Sequence, residues 1–212
     1  MIHYIPMFGK IKLTNLEIKM GNELISIKEE GDYFLYLRRD VERVIVGDYL
    51  QILPAPARGY GVKLMMVKLK RPIALAPGKS IEGFIQVPVE VSVKVGDSEI
   101  DRFGIGREKY ALYGTLENGV IVRYCTGYIG NEPNGLGNLK VKIVNKGEDW
   151  GFIDRIVFPM LDLMYYSKDK AFYPLIRVEI QEDINVINTG EAPLPNLVST
   201  GEEKSLRFRM RW

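Results

Sequence analysis

One histidine, His3, and one cysteine, Cys125, limit the chemistry open to this 212-residue chain. A Ser-His-Asp relay needs an imidazole held by a carboxylate on one side and facing the nucleophile on the other. His3 meets that need only if the N-terminal strand is folded into a site. Cysteine–histidine catalysis has the same limit, and the histidine-rich zinc sites of hydrolases cannot be assembled within one chain. The sequence therefore assigns no catalytic residue, no metal-ligand set and no cofactor.

Carboxylates are the remaining catalytic option. Asp97, Glu99 and Asp101 fall together in GDSEIDRF, and Glu179, Glu182 and Asp183 in VEIQED. Paired acids bind Ca²⁺ or Mg²⁺ through oxygen, or act as acid and base in glycoside hydrolysis. Neither cluster has the ligand spacing and central glycine of an EF-hand loop, and solvated turns and strand faces explain both more simply. Gly78-Lys79-Ser80 ends like a phosphate-binding loop, but Ile73 stands where its first glycine belongs. A polar turn between strands is expected there. In Gly104-Ile105-Gly106 the third glycine of a dinucleotide fingerprint falls on Lys109, so a flexible lead into the next hairpin is expected.

Cations raise the question of nucleic acid. Arg207, Arg209 and Arg211 alternate along the closing strand, as do Lys140 and Lys142, and Lys68 and Lys70. Basic side chains beside aromatic rings are how β-barrels hold single strands. The near balance of 29 Lys and Arg against 27 Asp and Glu favours solvated faces instead. Edge strands also carry cations to discourage aggregation.

The elements that must position these groups are strands. From Ile85 to Val95 every second residue is apolar, with Gln86, Pro88, Glu90, Ser92 and Lys94 between them. Period two sends one set to a core face and the other towards solvent. Pro88 lacks an N–H, which predicts a sheet edge or a bulge. The same alternation marks Ile11-Leu13, Leu139-Val141-Ile143, Ile176-Val178-Ile180 and Leu206-Phe208-Met210-Trp212. Ile153, Ile156, Val157, Met160, Leu161 and Met164 have helical spacing. Pro159 stands in their middle, so two short strands bent at Pro159 are expected. Residues 54–61 and 131–138 read as loops, and 188–205 as a long mobile one. The chain is expected to be all-β, an antiparallel β-sandwich or barrel-like double sheet with little or no helix. A single domain over 1–212 is expected, with 96–106 as the place where two β halves would divide.

Lys109 to Cys125, KYALYGTLENGVIVRYC, is the densest mixture of cations and rings. Asn118-Gly119 predicts a two-residue type I′ turn. That register sets Tyr113 against Tyr124, Leu112 against Cys125, Arg123 against Gly114, and Lys109 across from Tyr128 within cation–π reach. One face then carries Ala111, Tyr113, Val120, Val122 and Tyr124; the other carries Tyr110, Leu112, Leu116, Ile121 and Cys125. With both faces largely apolar, the hairpin is expected to be central and covered on both sides. A buried Arg123 requires a carboxylate or several carbonyls around it, and a structural role is the simpler assignment. Arg107, Lys109, Tyr110, Tyr113, Arg123 and Tyr124 are thus the candidate ligand or structural anchors. Arg207, Arg209 and Arg211 are the candidate nucleic-acid contacts.

Lys109-Tyr110-Ala111-Leu112-Tyr113-Gly114 followed by Gly119-Val120-Ile121-Val122-Arg123-Tyr124 resembles the signature of an uncharacterised archaeal family, domain of unknown function 432. The Pro88-Val89-Glu90-Val91 strand resembles it as well. The resemblance implies an archaeal cytoplasmic protein and carries no activity, substrate or catalytic residue.

Composition sets the remaining bounds. A hydrophobic share of 46% with 26% charged residues is ordinary for a globular chain. A net charge of +2 is too small to imply nucleic acid or an anionic membrane. A lone cysteine excludes an internal disulfide and points to a reducing cytosol. No signal peptide or apolar run of about 18 residues is read in the sequence. Abundant Lys, Glu, Ile and Val with little Gln points towards a thermophile. The leading functional expectation is a non-catalytic β-sandwich module that binds a protein partner or ligand. A single-stranded nucleic-acid binder and a carboxylate-based or metal-dependent hydrolase are the alternatives.

Overall fold

The computed structural model describes residues 8–201 and 205–210. Strands run over Gly9–Lys12 (β1), Leu16–Met20 (β2), Glu23–Glu30 (β3), Tyr33–Arg38 (β4), Val41–Ile45 (β5), Tyr49–Pro56 (β6) and Leu64–Leu75 (β7). They continue over Ser80–Gln86 (β8), Val89–Val95 (β9), Ser98–Gly104 (β10), Tyr110–Tyr113 (β11), Val120–Gly127 (β12), Gly137–Asn145 (β13) and Gly151–Pro159 (β14). The last are Tyr165–Tyr166 (β15), Ala171–Phe172 (β16), Ile176–Ile180 (β17), Ile184–Asn188 (β18), Val198–Ser199 (β19) and Leu206–Met210 (β20). No helix occurs among the described residues, and the chain is all-β.

Period-two burial builds each sheet. In β2, Leu16, Ile18 and Met20 are buried while Glu17 and Lys19 are exposed. Strands β2-β3-β4-β5 form an antiparallel meander, and β1-β6-β9-β10 a second sheet. A third sheet has the order β11-β12-β7-β14, and the largest runs β19-β15-β16-β13-β17-β18-β20 with β8 also paired to β13. Antiparallel pairing predominates, but β12 lies parallel to β7, and β13 parallel to β16 and β17. Two-residue turns close four hairpins, at Gly21-Asn22, Gly31-Asp32, Arg39-Asp40 and Gly96-Asp97, each with its first residue at positive φ. Residues 96–106 thus hold a hairpin turn and β10, which folds straight back onto β9.

One hydrophobic core draws on all four sheets, with Ile18, Ile52, Val67 and Val141 among its members. A buried polar clamp joins the meander to β10. Arg38 Nε donates to Asp101 Oδ2 at 2.7 Å, Nη2 to Oδ1 at 3.0 Å, and Nη1 to Glu23 Oε2 at 3.0 Å. The Tyr36 hydroxyl donates to Asp101 Oδ2 at 2.6 Å, and Arg39 also binds Glu23. Every charge here has a partner, as burial demands.

Pro88 neither bulges a strand nor lies on an edge. It sits between β8 and β9, where the chain leaves the largest sheet for the β6-β9-β10 layer. A residue without an N–H suits a site where one ladder ends and another begins. The alternation through Val95 persists, yet Glu90 and Ser92 are buried instead of solvated. The segment before Pro159 is a strand, and the following Met160–Met164 is irregular, leading to β15. The long segment after Asn188 is tied down: β19 pairs with β15, and Tyr165 Oη donates to the Gly190 carbonyl at 2.6 Å.

Candidate functional site

The hairpin at Lys109–Cys125 forms, but in a different register. Tyr110 faces Arg123, Ala111 faces Val122, Leu112 faces Ile121 and Tyr113 faces Val120. Arg123 is therefore opposite Tyr110, not Gly114. Asn118-Gly119 does not make the two-residue turn; residues 114–119 form a longer loop instead. Gly114 takes φ +108, and the Asn118 N–H is held by Thr115 Oγ1 at 3.1 Å. A side-chain acceptor captures a donor that the tight turn would have used differently. The slip is four residues, an even number, so each side chain keeps its expected face.

The hairpin is also not covered on both sides. Strand β11 is the edge of its sheet, and Leu112, Leu116, Val120 and Ile121 are exposed. Only β12, between β11 and β7, carries buried residues, Val122 and Arg123.

Arg123 is 1% exposed. The expected carboxylate is Glu108, whose Oε2 lies 3.4 Å from Arg123 Nη1. The Tyr110 ring lies 5.2 Å from the guanidinium carbon, a cation–π contact. The Tyr110 hydroxyl donates to Glu108 Oε2 at 2.7 Å. Burial, then the Glu108 carboxylate, raises the Tyr110 hydroxyl above its ordinary value. Nothing among the described residues hydrogen-bonds Arg123 Nε or Nη1. A buried guanidinium with open donors is the least satisfied charge in this region.

A second carboxylate adjoins it. A Cβ built at Gly104 would lie 3.2 Å from Glu108 Oε1 and 4.0 Å from Glu90 Cγ, so two acids flank this glycine. Buried Glu90 accepts the Gly59 N–H at 2.6 Å and Arg102 Nε at 2.7 Å. Gly59 has φ +52, and a Cβ there would collide with the Tyr110 hydroxyl. Sequence reading missed Glu108, Glu90, Gly59 and Tyr60 as members of this cluster. Glu108 alone left a signal, as an acid between Arg107 and Lys109 near a cation expected to need one. Cys125 lies on the Arg123 face of β12. Burial pushes its thiol up to about 12, against the opposing pull of Arg123.

Other candidates lie elsewhere. Arg107 and Lys109 are exposed, and Tyr128 faces Lys70 and Arg71 in place of Lys109. Tyr113 and Tyr124 occupy the opposite face from Arg123, with the Tyr113 ring 6.1 Å from Phe208. Arg209 pairs with Asp183 at 3.3 Å, while Arg207 lines a groove beside the hairpin. Arg211 and His3 lie outside the described residues. Gly78-Lys79-Ser80 is a turn leading into β8. Of the acids, Asp101 belongs to the Arg38 clamp, Glu99 accepts from Ser92, and Glu179 pairs with Lys146 at 2.7 Å. Among the described residues, no three His, Cys, Asp or Glu come together as a metal site.

Two grooves border the hairpin's sheet. One, of about 630 Å³, is lined by Tyr60, Val62, Leu64, Ile121, Leu206 and Phe208 together with Lys63 and Arg207. The other, of about 440 Å³, lies at the far end of β12 between Tyr128, Lys70, Phe84 and Leu136.

Fold and site define an all-β chain of mixed sheets with an under-satisfied buried arginine near a sheet edge. No helix among its described residues is long and apolar enough to cross a membrane. The chain belongs to the family described as Protein of unknown function (DUF432), whose model matches residues 7–211. Searches of curated proteins and of solved structures find no match to the chain.

Proposed function

We propose that the chain is a non-catalytic binding module that takes up an extended apolar segment of a protein partner beside the β11–β12 hairpin. A cytoplasmic setting in a thermophilic archaeon belongs to the same reading, supported by the lone cysteine and the Lys- and Glu-rich composition. The observation that carries the proposal is the apolar groove of about 630 Å³ lined by Val120 and Ile121 of β12, Leu64 of β7, and Leu206 and Phe208 of β20. Tyr60 is 92% exposed there and Ile121 56%. Contiguous exposed apolar surface is a mark of interaction sites. The lining has two cations, Lys63 and Arg207, and no acid. It therefore suits a partner whose apolar residues are flanked by Asp or Glu.

Ile121→Asp tests this, because it puts a charge in the groove at an exposed position. A partner captured by the native chain would be identified, purified and rebound in isolation. Binding to Ile121→Asp at least tenfold weaker is expected. Equal binding by both chains, or no partner that rebinds in isolation, overturns the proposal.

Single-stranded nucleic acid is the second reading. It rests on Lys63 and Arg207 beside the exposed Tyr60, and on Lys70 and Arg71 flanking the exposed Tyr128 ring. Oligonucleotide retention that weakens steeply with added salt would support it. No retention at low salt ends it. No observation favours the carboxylate-based hydrolase.

A further inference from the structure

Arg123 is buried, permanently charged and incompletely paired. Its Nε and Nη1 find no hydrogen-bond acceptor among the described residues, although a guanidinium stays protonated at any ordinary pH. Glu108 approaches Nη1 only to 3.4 Å and spends its short hydrogen bond on the Tyr110 hydroxyl, at 2.7 Å. Its side chain is 36% exposed. It sits outside any strand, two residues after Gly106 at φ +84. Glu90, by contrast, is fixed on both oxygens by the Gly59 N–H and Arg102. One carboxylate in this cluster is held on both oxygens; the other is partly exposed and held through Oε2 alone.

We infer that Arg123 anchors a subsite for a carboxylate-bearing ligand, and that Glu108 is its displaceable internal stand-in. A ligand carboxylate is planar, and its two oxygens match the guanidinium fork. In the place of Glu108 it would give Nη1 the close acceptor that Glu108 withholds, while Glu108 moves into water. The exchange replaces one negative charge with another, so no buried charge is left unbalanced. Absence of a side chain at Gly59 and Gly104 lets the Tyr110 hydroxyl and the Glu108 carboxylate pack close against the backbone there. The Tyr110 ring, 5.2 Å from the guanidinium, and the Tyr60 ring, 5.9 Å from that of Tyr110, form an aromatic wall beside it. This subsite does not depend on the groove reading above, and its test uses no protein partner.

The test titrates acetate into the full-length chain, with sodium chloride at matched ionic strength as control and inorganic phosphate as the competing anion class. Native protein and Glu108→Gln are compared by thermal midpoint and by the ¹⁵Nε resonance of Arg123. A saturable, acetate-specific movement of that resonance is expected in both. Affinity should be at least tenfold higher in Glu108→Gln, where the internal competitor has lost its charge. No acetate-specific movement in either chain overturns the subsite. Equal affinity in the two chains overturns the role of Glu108. Tighter binding of phosphate than of acetate overturns the carboxylate class. The resonance reads Arg123 directly, so a loss of stability in the variant does not mask the result.

Discussion

Arg38 on β4 grips Asp101 on β10 through two N–H donors, Nε at 2.7 Å and Nη2 at 3.0 Å, across 63 residues of chain. The pair ties the N-terminal meander to the sheet that carries β6 and β9. Burial pushes the Asp101 carboxyl upward, but hydrogen bonds from Arg38 and Tyr36 prevail and hold it below the usual carboxylate range. A group whose folded pKa is depressed gives stability that is full above its unfolded value, about 3.9, and lost as pH falls through the folded one. Asp101→Asn should lower the unfolding free energy at neutral pH by about 3 kcal/mol, because Arg38 is left buried without its main partner. It should also flatten the fall in stability below about pH 4. Urea denaturation across pH reads both, and an unchanged acid limb would refute the assignment.

Arg123→Met should behave differently. Its removal deletes a charge whose Nε and Nη1 have no hydrogen-bond acceptor among the described residues, and leaves behind Glu108, which is already partly in water. Replacing a poorly satisfied buried ion with an apolar side chain of similar length is often neutral or stabilising. A change within about 1 kcal/mol of zero is expected in chemical denaturation. A loss of about 3 kcal/mol or more would make Arg123 a structural tie instead.

Gly59→Ala should destabilise by about 2 kcal/mol, from its left-handed backbone and from collision with the Tyr110 hydroxyl. Tyr110→Phe removes the colliding oxygen. In the double variant a part of the loss should therefore return, leaving the backbone cost and the tight contacts with the ring carbon and Glu108. Strict additivity in the double-mutant cycle would show that the two sites do not touch.

The Cys125 thiol, raised to about 12 chiefly by burial, stays protonated at pH 8. The thiolate is the reactive form, so an aromatic disulfide reagent should modify the folded protein at least tenfold more slowly than the urea-unfolded chain. Equal rates would mean that the thiol is open to solvent.

Much of this architecture was legible as alternation. Leu139-Val141-Ile143 and Ile176-Val178-Ile180 became β13 and β17 with those side chains buried, because a strand must send alternate residues to opposite sides. The faces of the β11–β12 hairpin were legible for the same reason and survived a four-residue slip in register. Arg123 could be recognised as a cation in an apolar setting that would need a carboxylate.

What the sequence could not decide was which strand lies beside which, and which group supplies each missing partner. Arg123 meets Glu108 because the hairpin register sets Tyr110 opposite Arg123, and it is buried because β12 joins β7 in parallel, a choice made by packing between residues 58 apart, such as Met65 and Arg123. Glu90 follows the polar half of a clean alternation, yet Arg102 and the Gly59 backbone cover it. Period-two patterning reports the face of a strand and says nothing of what arrives on that face. The lone histidine and cysteine narrowed the chemistry from residue types alone. Whether a buried cation is satisfied depends on distances of a few tenths of an ångström, and only the tertiary structure sets those.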